Sequence, residues 1–248
     1  MYLYIYDSFL NHKKYTDLLT KIEKRITDLG IKGKVAKLSV LKNMKELILD
    51  GVREGVQTVV VIGNSQSFTK VINIVANLDV VLALIPVEND SNIAKVLGIA
   101  PGVLACDVLA SRIIKKIDLG KINNHYFISN AQIINGDILI EYDQFKIQPT
   151  TAQNHIAFYN LADPGSNVAS KPDDGLLEAV ITPMKSTLFG KKPIPETVLP
   201  FKKIKITSNT EEQVAIITDE EIIMKTPAEI SVAPAKLKII VGSDRQFE

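Results

Sequence analysis

The chain has 248 residues, of which 46% are hydrophobic and 23% are charged, and its formal net charge at pH 7 is +1. These values exclude a disordered chain and allow a sizeable core. Its single cysteine, Cys106, excludes an internal disulfide and a paired-cysteine zinc site, and we assign it to the core. We find no polybasic tract, membrane-spanning run or signal peptide, so we expect a cytoplasmic protein that does not bind nucleic acid. Peripheral contact with an anionic membrane surface stays open, as does the oligomeric state.

Strands and helices alternate over the first 120 residues, an order that is typical of a doubly wound α/β sheet. The segment QTVVVIG is apolar almost throughout, as expected for a strand buried on both faces. Apolar residues at helical spacing mark the helices between the strands. The predicted elements are strand 2–6, helix 12–29, strand 34–39, helix 42–54, strand 57–63, helix 67–77, strand 79–86, helix 91–98 and helix 105–117.

After Asp118 the apolar period changes to two, which predicts β-strands. Asn135-Gly136 lies between two of these strands and predicts a type I′ hairpin turn. Proline-bearing loops separate the later strands, so we predict an antiparallel β-sandwich or barrel. The predicted strands cover 125–129, 131–134, 137–142, 154–160, 176–182, 201–208, 213–218, 221–225 and 236–242.

Several segments, taken in order, resemble the diacylglycerol kinase catalytic-domain family, which includes bacterial lipid kinases and sphingosine kinases. The resemblance implies an open α/β nucleotide-binding-type domain at 1–120 and a β-sandwich domain at 121–248. It also implies that the last strand, 236–242, returns to the first domain. The segments are VVVIGNSQSFTKVIN (59–73), ALIPVENDSNIAKVLGI (83–99), IDLGKINNHYFIS (117–129), ASKPDDGLLEAVIT (169–182) and ITDEEIIMKTPAEISVAPAKLKIIV (217–241).

The activity that this resemblance implies is phosphoryl transfer from ATP, with Mg²⁺, to a lipid or another hydroxyl acceptor. In such reactions the protein mainly positions the groups and neutralises charge. The implied partners are a nucleotide and a lipid or small-molecule acceptor. The implied site residues are Ser65 and Glu221 for catalysis, Gly63, Asn64, Ser67 and Asn92 for the nucleotide, and Asp219 and Glu221 for the metal.

The chain departs from the family at its phosphate-binding turns. The family has a Gly-Gly-Asp-Gly-Thr turn where this chain has Gly63-Asn64-Ser65-Gln66-Ser67, so Ser65 supplies no carboxylate. In the second loop, glycines are replaced by Glu88 and Asp90, whose charges repel phosphate unless Mg²⁺ intervenes. The family's Asn-Pro turn is replaced by 6–8, Tyr-Asp-Ser. We therefore predict that the kinase activity is weakened, altered or lost.

Three interpretations of the turn at 63–67 stay open. It can bind phosphate through backbone N–H groups at a helix N-terminus, or Asn64 or Ser65 can simply cap that helix. It also lies one residue from the G-x-S-x-G nucleophile elbow, which requires a histidine base. Since His125 and His155 both fall in the predicted sandwich, a serine hydrolase that uses Ser65 is the most distant alternative. The nearer alternative is a non-catalytic nucleotide- or lipid-binding protein on the same fold.

Overall fold

The structure, a computed structural model, describes all residues except 39–42, 90, 152, 163–167, 169, 188–189, 194–195, 220–221 and 248. Asp90 and the predicted catalytic and metal residue Glu221 therefore lie outside the described residues. The chain divides into two compact units. Unit 1 comprises Met1–Ile117 and Lys236–Glu248, and unit 2 comprises Asp118–Ala235.

Unit 1 alternates strands and helices, as the apolar pattern predicts. Two short 3₁₀ helices, Ser8–Asn11 and Lys13–Tyr15, precede the first long helix. No helix in the described part of the chain is both long and apolar enough to span a membrane. The elements are β1 (Tyr2–Tyr6), α1 (Thr16–Asp28), β2 (Gly33–Lys37), α2 (Met44–Arg53), β3 (Thr58–Gly63), α3 (Ser65–Val75), β4 (Val81–Pro86), α4 (Asn92–Val96) and α5 (Leu104–Ser111).

The strands of unit 1 are parallel and run in the order β2-β1-β3-β4. Every residue of β3 and β4 is buried, which explains their unbroken apolar sequences. The chain proceeds from β1 to one side of the sheet and from β3 to the other. The crevice at the carboxyl ends of β1 and β3 is thus the topological switch point, the usual ligand position in open α/β sheets.

The remaining strands are β5 (Ile114–Ile122), β6 (His125–Phe127), β7 (Asn130–Ile134), β8 (Ile138–Tyr142), β9 (Phe145–Ile147), β10 (Asn154–Tyr159), β11 (Leu177–Thr187), β12 (Gly190–Pro193), β13 (Thr197–Phe201), β14 (Lys203–Ser208), β15 (Ala215–Thr218), β16 (Ile222–Lys225) and β17 (Ala228–Ile240). The first residues of β5 and the last residues of β17 belong to unit 1. There, Lys238 and Ile239 pair in parallel with Val81 and Leu82 of β4.

Unit 2 is built from antiparallel strands in two layers. One layer has the order β12-β11-β10-β7-β15-β16, with β13 beside β11, and the other contains β9, β8, β14 and the start of β17. Alternate residues of both layers form one buried cluster, which includes Ile133, Phe158, Ile206 and Ile230. The prediction of an α/β unit combined with an antiparallel β-sandwich is therefore confirmed.

Two local predictions are wrong. The helix predicted at 105–117 ends at Ser111, because Arg112 adopts a left-handed conformation with φ 53° and β5 begins at Ile114. The predicted hairpin at Asn135-Gly136 is absent, because β7 and β8 pair with strands of different layers. Asn135 does have the positive φ that such a turn needs, at 57°. Strands β5, β9, β12 and β13 were not predicted.

Candidate functional site

Three loops follow the carboxyl ends of β1, β3 and β4 in unit 1. Asp7 comes directly after β1, and its N–H donates to the carbonyl of Ile62 at 3.2 Å. Val87 comes directly after β4, and its N–H donates to the carbonyl of Gly63 at 3.0 Å. These bonds extend the ladder by one residue and bring the three loops to the same edge of the sheet. These three loops therefore supply the polar groups around the topological switch point.

The turn after β3 caps the helix that follows it. Asn64 has extended backbone angles, and its side-chain oxygen accepts from the N–H of Ser67 at 3.2 Å. In return, the hydroxyl of Ser67 accepts from the N–H of Asn64 at 3.3 Å. This reciprocal capping box satisfies two backbone donors near the start of α3. Asn64 therefore caps α3, whereas Ser65 is the first residue of the helix and does not cap it.

Asp7 completes this network from the neighbouring strand. The hydroxyl of Ser67, which has no solvent exposure, donates to Oδ2 of Asp7 at 2.6 Å. The contact leaves no room at Gly63, where an added Cβ would lie 2.7 Å from Cβ of Ser67 and collide with its hydroxyl. Gly63 is therefore required by the packing of this network, independently of any ligand.

The hydroxyl of Ser65 is engaged by the second loop. It donates to the hydroxyl of Ser91 at 3.1 Å. Ser91 is buried and caps α4 by accepting from the N–H of Ala94 at 3.3 Å. Asn92, predicted to support the nucleotide, is the half-buried first residue of α4. The serine pair thus joins the helices α3 and α4 at their N-termini.

Glu88 of the second loop is held by the loop after β1. Its Oε1 accepts from the hydroxyl of Tyr15 at 3.1 Å. The Tyr15 ring packs edge-on against Phe9 with centroids 5.4 Å apart, and the ammonium of Lys14 lies 4.6 Å from its centroid. The carboxylate of Glu88 is therefore fixed by a buried aromatic side chain.

Two backbone donors remain at the start of α3. Among the described residues, no acceptor faces the N–H groups of Ser65 and Gln66, and the side chain of Gln66 is exposed. Donors at a helix N-terminus attract anions. Here they share the sheet edge with the carboxylates of Asp7 and Glu88, which repel an anion and attract a cation. The residues present thus fit a magnesium-bound phosphate in part, since carboxylates and phosphates are ligands that Mg²⁺ prefers.

The metal residue predicted in unit 2 makes backbone contacts. Asp219 has a left-handed φ of 47°, and its carboxylate accepts from the N–H groups of Ile128, Ser129 and Asn130 at 3.0, 2.8 and 3.3 Å. It therefore stabilises the connection between β6 and β7. Within the described residues, no three histidine, cysteine or acidic side chains are grouped so that they could hold a metal ion. Metal binding by Asp219 stays a prediction.

The Asp174-Gly175 segment is a turn, as its sequence suggests. Gly175 has φ 74°, and the N–H of Leu176 donates to Oδ1 of Asp174 at 2.9 Å. The N–H groups of Gly175 and Ala235 each donate to the buried carboxylate of Asp118 at 2.7 Å. Asp118 therefore organises this turn from within unit 2.

A serine hydrolase would need a histidine as its base, and the three histidines of the chain lie in different parts of it. His125 and His155 lie in β6 and β10 of unit 2, and burial lowers the pKa of both imidazoles. His12 lies in unit 1, where its Nδ1 accepts from the N–H of Lys14 at 3.3 Å. In the described part of unit 1, the hydroxyl of Ser65 donates to Ser91 rather than to a base.

Sequence reasoning overlooked the parts that Asp7, Tyr15 and Ser91 play in the site. Asp7 carried a usable signal, because it follows a buried strand directly and parallel strands present their carboxyl ends at one edge. Ser91 carried another, since a serine before a short apolar helix is a typical N-cap. The partnership of Tyr15 with Glu88 joins residues 73 positions apart and had no local signal.

Comparisons with known proteins bear on the fold. No protein-family model matches the chain, and no curated protein does. Among solved structures, a diacylglycerol kinase from Bacillus anthracis str. Sterne is 19% identical with a TM-score of 0.80, and the match covers 98% of this chain and 97% of that one. A structure from the same organism, provisionally described as a diacylglycerol kinase, is 17% identical with a TM-score of 0.81 and 98% coverage of both chains. The chain therefore has the fold of diacylglycerol kinase-like structures.

Proposed function

We propose that this chain is a non-catalytic protein on the lipid-kinase-like fold, which binds a magnesium-bound nucleotide weakly and transfers no phosphoryl group. The observation that carries the proposal is the 2.6 Å bond from Ser67 to Asp7, combined with the capping box at Asn64. Together they engage Asn64 and Ser67, which are part of the turn that the family resemblance assigns to phosphate, in bonds within the chain.

The remaining donors support weak binding. The N–H groups of Ser65 and Gln66 would hold a phosphate, and the carboxylates of Asp7 and Glu88 would hold the Mg²⁺ that offsets their repulsion. When bound, the ion would supply charge neutralisation of the phosphates. Binding through two backbone donors, against two carboxylates, gives an expected dissociation constant on the order of 1 mM.

The loss of transfer follows from the residue at the centre of the turn. The resemblance assigns a carboxylate to the position of Ser65, and a serine hydroxyl neither accepts a proton readily at neutral pH nor carries the charge that holds a metal. Its hydroxyl also donates to Ser91 rather than facing a base. This position therefore supplies neither general-base nor metal chemistry.

An active ATP-dependent lipid kinase is the second candidate. It is favoured by the likeness to diacylglycerol kinase structures over 98% of the chain. This candidate needs a carboxylate from elsewhere, and Asp219 or Glu221 would have to supply it.

The deciding experiment is calorimetry with ATP and Mg²⁺, followed by a transfer assay with labelled ATP and a panel of lipids that includes diacylglycerol. We expect weak binding without labelled product. The triple variant Asn64→Gly, Ser65→Asp, Gln66→Gly rebuilds most of the family's turn, and we expect it to bind ATP about tenfold more tightly. Ser111→Asp adds the same charge at the end of α5 and serves as the control.

Two outcomes would contradict the proposal. Labelled lipid made by the unmodified chain would establish a kinase. Absence of ATP binding at millimolar concentration, in both the unmodified chain and the triple variant, would exclude nucleotide binding. Only the fold assignment would then stand.

A further inference from the structure

Two adjoining clefts lie between α1 and the strands β1 and β2 of unit 1. Their volumes are about 240 and 260 Å³, and Tyr6 and Glu23 line both of them. They therefore form one cavity with two parts, which we call the α1 cavity. Polar side chains dominate one part, where Asn11, Thr16 and Lys37 lie, and apolar groups dominate the other, where Ile26 and Val35 lie.

The walls of this cavity come from residues at regular spacing. Tyr4 and Tyr6 of β1 share one face of the sheet with Val35 and Lys37, their register partners in β2. A helix that covers a sheet usually presents an apolar stripe to it. The stripe of α1 at this place is mostly polar, since it consists of Thr16, Thr20, Glu23 and Thr27, together with Leu19 and Ile26. The sequence thus leaves a cleft where a closed core would be expected.

Charges of both signs face this cleft. Glu23 lies where the two parts meet, and within the described residues neither its carboxylate nor the ammonium of Lys37 forms an ion pair. The ammonium of Lys37 lies 5.6 Å from the centroid of the Tyr6 ring. Burial, helped by the charge of Glu23, raises the pKa of Tyr6, so this buried hydroxyl stays a donor at neutral pH. One anionic and one cationic group are thus both available to a ligand.

We propose that the α1 cavity binds a free α-amino acid with an apolar side chain. Three groups leave the α-carbon of such a ligand in different directions, and the cavity has a partner for each. The ammonium pairs with Glu23 at the junction, and the carboxylate pairs with Lys37 in the polar part. The side chain then enters the apolar part and packs on Ile26 and Val35. Both ionic contacts are charge-assisted hydrogen bonds, which are stronger than neutral ones.

The apolar part determines which side chain fits. Its buried residues Tyr4 and Ile26 offer a surface that a branched or aromatic side chain covers better than a small one. Lys32, an exposed residue, also lines this part, where its stem adds apolar surface and its ammonium reaches water. Its charge repels a basic side chain. We therefore expect leucine and phenylalanine to bind, and arginine and lysine to be excluded.

Titration of the whole chain with leucine, followed by the NMR shifts of its backbone amides, tests the proposal. We expect shifts in α1 and β2 that saturate with a dissociation constant on the order of 1 mM, because the cavity is open to solvent. N-acetyl-leucine lacks the ammonium and leucinamide lacks the carboxylate, so each should bind about tenfold more weakly. Glycine, which has no side chain for the apolar part, should bind more weakly as well.

Glu23→Gln and Lys37→Met each remove one of the two charges from an exposed position, so they spare the fold. Each should weaken leucine binding about tenfold. Lys24→Met changes an exposed residue of α1 that does not line the cavity, and this control should bind leucine as the unmodified chain does.

Three results would overturn the proposal. The first is the absence of saturating shifts up to about 20 mM leucine. The second is unchanged leucine binding in both Glu23→Gln and Lys37→Met. The third is tighter binding of glutamate than of leucine, which would show that the charge of Lys32, and not the apolar surface, selects the side chain.

Discussion

Two buried polar side chains, one from each unit, show how differently individual positions of the chain treat such groups. Ser67 in unit 1 has no exposure, and its hydroxyl donates to Asp7 and accepts from the N–H of Asn64. Glu178 in unit 2 is 7% exposed, and its Oε2 has no hydrogen-bond partner among the described residues. Burial, helped by the charge of Asp174, raises the pKa of the Glu178 carboxyl from 4.5 to about 7.

The difference separates a fully hydrogen-bonded hydroxyl from a carboxyl that has one oxygen without a partner. Buried polar groups with partners stabilise a fold, whereas a group without a partner costs its lost hydration. The turn that resembles a phosphate site is thus stabilised from within, although it lies where ligands usually bind. The carboxyl of Glu178, which has one oxygen without a partner, lies in β11, a strand to which the sequence assigned no function.

The largest effect on stability is expected from removing the hydrogen-bonded hydroxyl of Ser67. Ser67→Ala removes the hydroxyl that bonds Asp7 and half of the capping box, so we expect the free energy of unfolding to fall by about 2–3 kcal/mol. Urea unfolding followed by circular dichroism measures the change. Ser65→Ala, which removes only the hydroxyl pair with Ser91, should cost less than about 1 kcal/mol. Equal costs for the two variants would contradict the central place of Ser67.

A smaller effect on stability, which depends on pH, is expected from removing the charge of Glu178. The pKa of Glu178 is higher in the folded chain than its usual value. Its contribution to stability is therefore complete below about pH 4.5 and is lost as the pH rises through about 7. Glu178→Gln removes the charge, so it should stabilise unit 2 by about 1–3 kcal/mol at about pH 8 relative to about pH 4. Urea unfolding at the two pH values measures the difference.

The control for this prediction is an exposed carboxyl in the same unit. Glu212→Gln changes the same formal charge on the surface and should shift the unfolding free energy equally at both pH values. If Glu178→Gln also shifted the unfolding free energy equally at both pH values, the prediction would be wrong. The carboxyl of Glu178 would then behave as a surface carboxyl does.

The smallest effect on stability is expected at Glu88, whose carboxylate accepts one side-chain hydrogen bond, from Tyr15. Tyr15→Phe keeps the ring against Phe9 and removes the hydroxyl that donates to Glu88. We expect a loss of about 0.5–1 kcal/mol, or about 2 °C in melting temperature for a chain of this length. Differential scanning calorimetry measures it. A loss as large as that of Ser67→Ala would place Glu88 among the main supports of the strand ends.

The fold could be predicted where burial alone decides the structure. The strands β3 and β4 are buried on both faces, so their sequences are apolar without alternation and leave no other interpretation. The helix α1 and the alternating strands of unit 2 follow from periodicity in the same way. The resemblance of short segments to the kinase family then predicted the architecture. Such segments include turns whose backbone conformation the fold requires.

The failures arose where tertiary contacts override a local pattern. Residues 112–117 continue an apolar stripe, but the left-handed Arg112 ends the helix, and its guanidinium bonds the hydroxyls of Tyr2 and Thr58 at 3.1 and 3.3 Å. Asn135 has the conformation of a hairpin turn, but the strands on its two sides enter different layers. Neither the hydrogen-bond partners of Arg112 nor the strands that pair on each side of Asn135 can be deduced from neighbouring residues.

The candidate site was predicted in its parts and missed in its connections. Gly63, Asn64 and Ser67 were assigned to a nucleotide from the family resemblance, and the structure joins them in one network. The bond from Ser67 to Asp7 spans 60 positions, and it appears only when two parallel strands are adjacent. That single contact ties the start of α3 to the end of β1.

The pairing of β17 with β4 has a consequence for biosynthesis. Lys238 and Ile239 cover the flank of β4 at Val81 and Leu82, yet the ribosome makes them only after the whole of unit 2. A nascent chain that has reached residue 235 therefore displays a buried-type strand with one side bare. Until translation passes that point, the unpaired backbone groups on this side of β4 are open to pairing with another strand.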